Sequence, residues 1–321
     1  ETAVKMAKKY RHITGKNGAF KVLSRRYSYH GATAMAASLG GSPAAGSVGP
    51  TMPGAIYVNN WNSYRMPYEG DPIDVAVKCA NEFETVIIHE GPDSVAAIIA
   101  EPVSAAHGIQ IPPVEYWQRL REIADKYDIV LIADEVITGF GRLGASFACE
   151  RFNVTPDIVT CAKGLTNATI PMGGVVVSHQ IYDTVIQNSA QEIELFHGYT
   201  YSGHPVACAA ALAALNLYQE EGLFQRAADL AQYWEDGVHN LKDSRHVIDV
   251  RNIGLVAGIE LQARESAPTA RAYEIFLKCY EDGVLVRTTG DTIALSPPLI
   301  IERDQIDQIF STIKKHLKTV E

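Results

Sequence analysis

Short apolar runs alternate with amphipathic segments along the first two thirds of the chain. The apolar runs predict strands over residues 20–24, 95–100, 129–133, 158–161 and 174–177. Between them, apolar residues recur at helical spacing, which predicts helices over residues 2–14, 74–89, 114–127 and 204–221. Such alternation is typical of a mostly parallel sheet that is covered by helices on both faces. The pattern therefore predicts an α/β fold.

The pattern changes after residue 217. It predicts helices over residues 223–241 and 269–282, strands over 247–250, 255–260, 284–287 and 292–295, and a closing helix. We therefore predict a large domain over residues 1–217 and a smaller α/β domain over residues 218–321. Residues 37–69 are rich in Gly, Pro, Ser, Asn and Tyr and have little periodicity, which predicts a loop excursion.

Composition and charge exclude several classes of protein. With 47% hydrophobic and 20% charged residues among 321, the chain has the composition of a folded globular protein. Its longest apolar run is too short to span a bilayer, so we expect no membrane partner. The net charge is −9, although the first 26 residues hold eight of the 28 Lys and Arg residues and one acid. A surface helix explains this basic start better than a presequence or a nucleic-acid arm, and we expect no nucleic-acid partner.

The cysteines and histidines indicate the compartment and exclude a simple metal site. Five cysteines are widely separated, and none forms a C-x-x-C motif. This usage is typical of a reducing compartment, and we expect the protein to be cytoplasmic. Ten histidines show no spacing typical of a metal site.

Three apolar runs each end at a reactive side chain. The runs VAAIIA, IVLIA and DIVTCA precede Glu101, Asp134 and Lys163. In open parallel sheets, ligands bind beyond the carboxyl ends of the strands, so these three residues could converge on one site. Burial lowers the pKa of a lysine, as a Schiff-base lysine requires. A structural ion pair between Lys163 and Asp134 explains the lysine equally well.

Two further motifs near Asp134 have alternative interpretations. The pair Asp134 and Glu135 resembles the magnesium-binding strand of P-loop ATPases, but the sequence has no G-x-x-x-x-G-K-[ST] motif. Residues Gly139 to Gly144 match G-x-G-x-x-G literally, yet the preceding acidic pair would oppose a pyrophosphate. We therefore interpret the glycines as a backbone turn and expect Arg142 to pair with a nearby carboxylate.

Six ordered motifs together resemble one enzyme family. They are SYHGAT at 28–33, AEP at 100–102, IADEVITGFGR at 132–142, AKGLT at 162–166, YTYSGHPVACAAALAAL at 199–215 and VLVRTTGDTIALSPPL at 284–299. This set is similar to the class III pyridoxal-phosphate aminotransferases of fold type I, and within them to the ω-amino acid (β-alanine-type) pyruvate aminotransferases. The resemblance implies a large cofactor-binding domain with a mostly parallel sheet and a smaller C-terminal domain.

The resemblance assigns the central cofactor contacts. Lys163 would form the internal aldimine with pyridoxal phosphate and shuttle a proton between the substrate and the cofactor. Asp134 would hold the protonated pyridine nitrogen, which keeps the ring an electron sink. Tyr29 would stack on one face of the ring and Val136 would contact the other. His30 follows Tyr29 in the same motif and is expected to belong to the cofactor site.

The family resemblance also assigns roles to three further residues. Glu101 matches an acid near the cofactor, although an ion pair with Arg142 explains it nearly as well. Thr200 matches a threonine that reaches across the interface of an obligate homodimer to the cofactor phosphate of the neighbouring subunit. Arg287 resembles the arginine that binds the substrate carboxylate through two parallel hydrogen bonds.

The expected activity is ping-pong transfer of an amino group from an ω-amino acid or primary amine to a keto acid, expected to be pyruvate. Ile137 stands where ornithine and γ-aminobutyrate aminotransferases commonly carry a glutamine, which favours the pyruvate-linked branch. An aminomutase, a decarboxylating transaminase or an inactive scaffold subunit are the alternatives. The identity of the amino donor stays open.

The first residues lead to one more expectation. The chain begins at Glu1, inside a helical pattern without a preceding N-cap residue. By comparison with the family, we expect about an N-terminal quarter, including a Gly-Ser pair that binds the cofactor phosphate, to lie upstream of Glu1.

Overall fold

The structure is a computed structural model that describes residues 1–42, 49–62, 68–188 and 193–321. Its contacts group into two compact units. The first comprises Glu1–Pro102, Pro112–Ile137 and Cys149–Asn216, and the second comprises Val103–Ile111, Thr138–Ala148 and Leu217–Glu321. Two short segments from the first 217 residues therefore belong to the second unit. The domain boundary between residues 217 and 218 stays a prediction.

A six-stranded sheet forms the centre of the first unit, in the order β2-β1-β3-β4-β5-β6. The strands are β1 (Lys21–Arg25), β2 (Ala55–Val58), β3 (Val95–Ala100), β4 (Val130–Asp134), β5 (Ile158–Cys161) and β6 (Gly174–Val177). All neighbouring strands are parallel except β5 and β6, which are antiparallel. The predicted α/β fold with a mostly parallel sheet is confirmed.

Helices surround this sheet and bury its central strands. They are α1 (Thr2–Ile13), α2 (Ala34–Leu39), α3 (Pro72–Glu90), α4 (Val114–Lys126), α5 (Ala148–Arg151), α6 (His179–Gln187) and α7 (Pro205–Glu220). Every residue of β3 and β4 is buried, as expected for strands covered on both faces. Helix α1 packs Val4, Ala7 and Tyr10 into the same core cluster as Ile99 and Ile132. The basic start of the chain is therefore an amphipathic helix, as predicted.

The predicted excursion over residues 37–69 is wrong in part. Residues 43–48 and 63–67 of this segment lie outside the described residues. Within the described part, Ala55–Val58 forms the edge strand β2, which pairs in parallel with β1. Three of its four residues are only half-buried, so the strand carries no clear apolar signal in the sequence. Pairing with β1, rather than local pattern, determines this element.

The second unit contains a four-stranded antiparallel sheet in the order β7-β8-β10-β9. Its elements are α8 (Leu223–His239), β7 (Val247–Ile253), β8 (Val256–Leu261), α9 (Ala270–Glu281), β9 (Arg287–Thr289), β10 (Thr292–Leu295) and α10 (Arg303–Leu317). The strand predicted over residues 284–287 is displaced, because β9 begins only where Arg287 pairs with Ala294 of β10. Trp234 and Phe310 join α8 to α10, with their ring centroids 4.9 Å apart.

Gly237 of helix α8 packs closely against Phe310 of α10. A Cβ atom added to Gly237 would overlap the Phe310 ring. We expect Gly237→Ala to destabilise the protein by about 1–3 kcal/mol through overpacking, although alanine favours a helix more than glycine does. Urea unfolding should show a lower midpoint. Gln232→Ala, at an exposed position of the same helix, should leave the midpoint nearly unchanged, and an equal midpoint for both variants would contradict the prediction.

Candidate active site

The three strands that end in reactive residues lie side by side. In the sheet, β3 pairs with β4 and β4 pairs with β5, all in parallel. Ala100 is the register partner of Ala133, and Asp134 is the partner of Thr160. Glu101, Asp134 and the segment that follows β5 therefore lie along one edge of the sheet. This is the edge at which ligands bind in open parallel sheets.

Asp134 is buried and held in one orientation by two hydrogen bonds. Its Oδ2 lies 2.7 Å from Nδ1 of His30, and its Oδ1 accepts a hydrogen bond from the backbone N–H of Val136 at 3.2 Å. The side chains of Asp134 and His30 are 7% and 2% exposed. A carboxylate accepts only, so Nδ1 of the imidazole carries the proton that His30 donates. Within the described residues, Nε2 of His30 is buried and has no hydrogen-bond partner.

A cavity of about 630 Å³ in the first unit contains this pair of side chains in its wall. Its size is in the usual range for a small-molecule site. Val136 also lines it, and so do Cys161 and Ala162, the two residues that precede Lys163. Apolar side chains dominate the remaining lining, which includes Met35, Leu39, Ile99, Ile170 and Met172. The cavity thus combines a few polar groups with apolar walls, as binding sites for small organic molecules do.

Lys163 is placed by an unusual backbone conformation. It begins a 3₁₀ turn, Lys163–Leu165, with a φ of 42°, in the left-handed region that L-residues with a Cβ rarely adopt. Such a conformation costs about 1–3 kcal/mol and is concentrated at functional sites. The side chain is exposed in the single chain. The expectation that Lys163 is buried is therefore wrong, because β5 ends at Cys161 and the chain turns away before the lysine.

Glu101 and Tyr29 are joined by a hydrogen bond. The backbone N–H of Tyr29 donates to Oε1 of Glu101 at 3.3 Å, and Oε2 of Glu101 forms an ion pair with Arg25 at 3.3 Å. Glu101 is buried, whereas the Tyr29 side chain is 57% exposed in the single chain. The alternative ion pair of Glu101 with Arg142 is wrong, because Arg25 takes that position.

Arg142 instead stabilises the second unit. It donates to the backbone carbonyls of Leu255, at 3.2 Å, and Pro297, and burial lowers its pKa to about 10. Arg142 belongs to the G-x-G-x-x-G run, in which Gly141 and Gly144 have φ of 90° and 76°. These positive angles confirm the interpretation of the run as a backbone turn rather than a dinucleotide fingerprint.

The two acidic side chains at the end of β4 have different hydrogen-bond partners. Successive residues of an extended chain point in opposite directions, and Glu135 accepts a hydrogen bond from the backbone N–H of Cys149 at 2.8 Å, whereas Asp134 contacts His30. Among the described residues, no group of three or more His, Cys, Asp or Glu side chains could hold a metal ion. The two carboxylates of the pair therefore take part in separate contacts within the first unit.

Thr200 of the first unit and Arg287 of the second unit are both exposed. Thr200 is exposed, between Tyr199 and Tyr201, both of which line the 630 Å³ cavity. Arg287 is the exposed first residue of β9 in the second unit, where it lines a different cavity of about 960 Å³. The assigned roles of both residues stay predictions, since one concerns a partner subunit and the other a bound substrate.

Sequence reasoning missed part of the cavity lining. Thr160 of β5, Met172 before β6 and Tyr201 line the cavity without having been singled out. Tyr201 lies inside the motif that contains Thr200, so the motif itself was an available signal. Met172 had no such signal, because only the antiparallel pairing of β6 with β5 brings its segment to this edge of the sheet.

Comparison with known proteins agrees with this geometry. The family Aminotransferase class-III matches residues 1–317. An omega-aminotransferase of Caulobacter vibrioides is 48% identical over 326 aligned residues, which cover 100% of this chain and 74% of that protein. A beta-alanine–pyruvate aminotransferase of Pseudomonas aeruginosa is 38% identical, over 100% of this chain and 72% of that protein.

Solved structures of transaminases share the fold. A transaminase solved with L-ala superposes with a TM-score of 0.95 at 35% identity, over 99% of this chain and 77% of that chain. An omega transaminase from Pseudomonas jessenii, in complex with PMP, superposes with a TM-score of 0.94 at 34% identity, over 99% and 72%. The fold and site define a transferase of the pyridoxal-phosphate fold type I. The chain belongs to the class III aminotransferases, and it is a transaminase.

Among the helices in the described part of the chain, none combines the length and the apolar character that a membrane span requires.

Proposed function

We propose that this transaminase uses pyridoxal phosphate to transfer an amino group from an ω-amino acid or primary amine to pyruvate. One observation carries the proposal: Asp134, oriented by His30, lines a cavity directly beside the strand end that leads to Lys163. The names of the similar proteins, an omega-aminotransferase and a beta-alanine–pyruvate aminotransferase, support the substrate classes.

The residues present fit this cofactor in chemistry and position. A buried carboxylate that keeps two fixed hydrogen bonds suits a protonated pyridine nitrogen, because it offers a full negative charge without reorganisation. Val136 supplies an apolar contact in the cavity wall, and Tyr29 supplies an aromatic ring next to His30 in the chain. When bound, pyridoxal phosphate supplies an electron sink for the charge that deprotonation of the substrate creates.

The proposed roles of the side chains follow from their chemistry. In the first half-reaction Lys163 would take the proton from the substrate carbon that bears the amino group and deliver it to the cofactor. In the second half-reaction it would carry a proton from the cofactor to the corresponding carbon of the acceptor, so its amine must be neutral each time it accepts a proton. Asp134 keeps its negative charge and holds the ring nitrogen, while His30 keeps the carboxylate in place. Arg287 binds the substrate carboxylate through its planar guanidinium group.

We further propose that the protein is a homodimer in which Thr200 reaches the cofactor phosphate of the neighbouring subunit. Helix α7 and the segment before it expose large apolar side chains, with Phe196 at 86%, Tyr201 at 80%, Leu212 at 62% and Val206 at 54%. Exposed apolar groups concentrated in one part of a chain indicate an interaction surface. A second copy would bury them.

A reducing compartment, such as the cytoplasm, suits five cysteines that are all unpaired.

A panel of amino donors and acceptors tests the activity. With an ω-amino acid or a primary amine as donor, pyruvate should become alanine without release of carbon dioxide. Release of carbon dioxide would favour the decarboxylating alternative, and isomerisation of a single substrate would favour an aminomutase. A protein that takes up no cofactor and forms no alanine would support the inactive scaffold.

The phosphate role of Thr200 is tested by Thr200→Ala. Because a hydroxyl donor to a phosphate oxygen contributes roughly 0.5–1.5 kcal/mol, we expect the Kd for pyridoxal phosphate to rise by about threefold to tenfold. The Kd is measured by fluorescence titration of the dimer, whose mass is checked by light scattering. Thr85→Ala, on an exposed face of α3, is the matched control. An unchanged Kd in an intact Thr200→Ala dimer would contradict the assignment.

A further inference from the structure

Arg25 is a completely buried cation at the end of β1. Burying a guanidinium group is costly unless it is paired and hydrogen-bonded. Its Nη2 donates to the backbone carbonyl of Glu101 at 2.6 Å and to the carboxylate of the same residue at 3.3 Å. The ring of Tyr116 lies 6.0 Å from the guanidinium carbon. Arg25 therefore holds both the backbone and the side chain of Glu101.

The other oxygen of the same carboxylate binds the segment that carries Tyr29. Glu101 Oε1 accepts the Tyr29 backbone N–H at 3.3 Å, while Oε2 is the oxygen that faces Arg25. The Ser28 hydroxyl donates to the backbone carbonyl of Arg25 at 2.8 Å, and Tyr27 has a left-handed φ of 62°. The chain thus makes a tight turn after β1, and the end of this turn is attached to Glu101.

We propose that Arg25 is a positioning residue for Tyr29, acting through Glu101; the inference rests on the proposed function, in which Tyr29 stacks on the cofactor. Without the guanidinium group, the buried Glu101 carboxylate would lose the cation that faces its Oε2, which is unfavourable. The carboxylate would no longer be held in this orientation, and its hydrogen bond to the Tyr29 backbone would weaken. The Tyr29 ring would then lose the orientation that stacking requires.

The experiment uses three test variants, Arg25→Met, Tyr29→Ala and the double variant that combines them. Arg11→Met is the control. Arg11 is the matched control, because it is also completely buried in the first unit and pairs with one acid, Asp128. Two properties are measured: the Kd for pyridoxal phosphate, and hydrogen exchange of the peptide that contains Tyr29 in the cofactor-free protein. Arg25→Met should raise the Kd by about tenfold and accelerate exchange at Tyr29, since oriented aromatic stacking is lost. Arg11→Met should change neither.

Coupling in the double variant decides the route of action. If Arg25 acts through Tyr29, the double variant has the same Kd as Tyr29→Ala alone. If the double variant instead raises the Kd by the product of the two single effects, the proposal is overturned. Equal changes of the Kd in Arg25→Met and Arg11→Met would overturn it as well. If Arg25→Met does not fold, Arg25→Lys replaces it. We expect exchange at Tyr29 to be faster in Arg25→Lys, because a lysine lacks the planar group that contacts both the backbone and the carboxylate of Glu101, and exchange no faster than in the unsubstituted protein would overturn the proposal.

Hydrogen exchange separates this inference from the proposed function. Failure of the unsubstituted protein to bind pyridoxal phosphate would overturn the proposed function and the cofactor part of the inference. Exchange at Tyr29 would still show whether Arg25 holds the Tyr29 backbone. Unchanged exchange in a folded Arg25→Met protein that does bind cofactor would overturn the inference alone.

Discussion

Replacing Lys163 by alanine is expected to lower the rate of transamination by about 10³-fold or more, because general acid–base catalysis by a positioned amine contributes about 10²–10⁴-fold and covalent attachment of the cofactor is lost as well. The left-handed backbone of Lys163 and its position after β5, beside the end of β4, single it out from the other lysines. The measurement is alanine formation from pyruvate under single-turnover and steady-state conditions. Lys78→Ala, at an exposed position of α3, should retain full activity.

Chemical trapping gives this first prediction an independent readout. Borohydride reduction of the holoenzyme, followed by peptide mass spectrometry, should place the cofactor adduct on Lys163. An adduct on another lysine, or an unchanged rate in Lys163→Ala, would show that the site is assigned wrongly. Added primary amines should partly restore the rate of Lys163→Ala, since they replace the missing base without the benefit of its position.

Asp134→Asn is expected to lower kcat by about 10²–10³-fold, the size of effect seen when one preorganised electrostatic contact is removed from an active site. The amide has nearly the shape of the carboxylate but no charge, so it neither favours protonation of the ring nitrogen nor accepts the His30 hydrogen bond with the same strength. Steady-state kinetics measures kcat, and the absorbance of bound cofactor shows the protonation state of the ring.

The control for this second prediction is Asp125→Asn. Asp125 lies in the same unit, is 66% exposed and pairs with Arg121 on α4, so its loss should leave kcat unchanged. If Asp134→Asn retained kcat, or lost activity only through unfolding, the proposed contact with the ring nitrogen would be wrong. A loss of kcat in a folded protein that still binds cofactor is the expected result.

The buried strands were predictable because a strand covered on both faces needs apolar residues at nearly every position. Strands β3 and β4 are buried along their whole length, which requires an uninterrupted apolar run whose end is visible as the first polar residue, Glu101 or Asp134. The predicted bounds of β3, β5, β6 and β10 match the structure. The edge strand β2 was missed, because a half-buried strand of four residues has no distinctive pattern.

The side-chain environment of the site was harder to predict. The burial expected for Lys163 was wrong, since the local turn after β5 exposes it. The expected partner of Glu101 was also wrong: Arg25, 76 residues away in the sequence, takes the place expected for Arg142. Electrostatic partners depend on which strands become neighbours, and the spacing of residues along the chain does not contain that information.

The α/β class, the ends of the buried strands and the family could be inferred from local sequence patterns and from motifs whose residue types the chemistry requires. The contact of Asp134 with His30, the contacts of Glu101 with Arg25 and Tyr29, and the pairing of β2 with β1 are visible only in the folded chain. The difference lies in the range of the interactions involved. Apolar periodicity is visible within a short stretch of sequence, because each buried position needs an apolar residue. A hydrogen bond or an ion pair between distant segments forms only once the sheet has brought them within about 3 Å of each other.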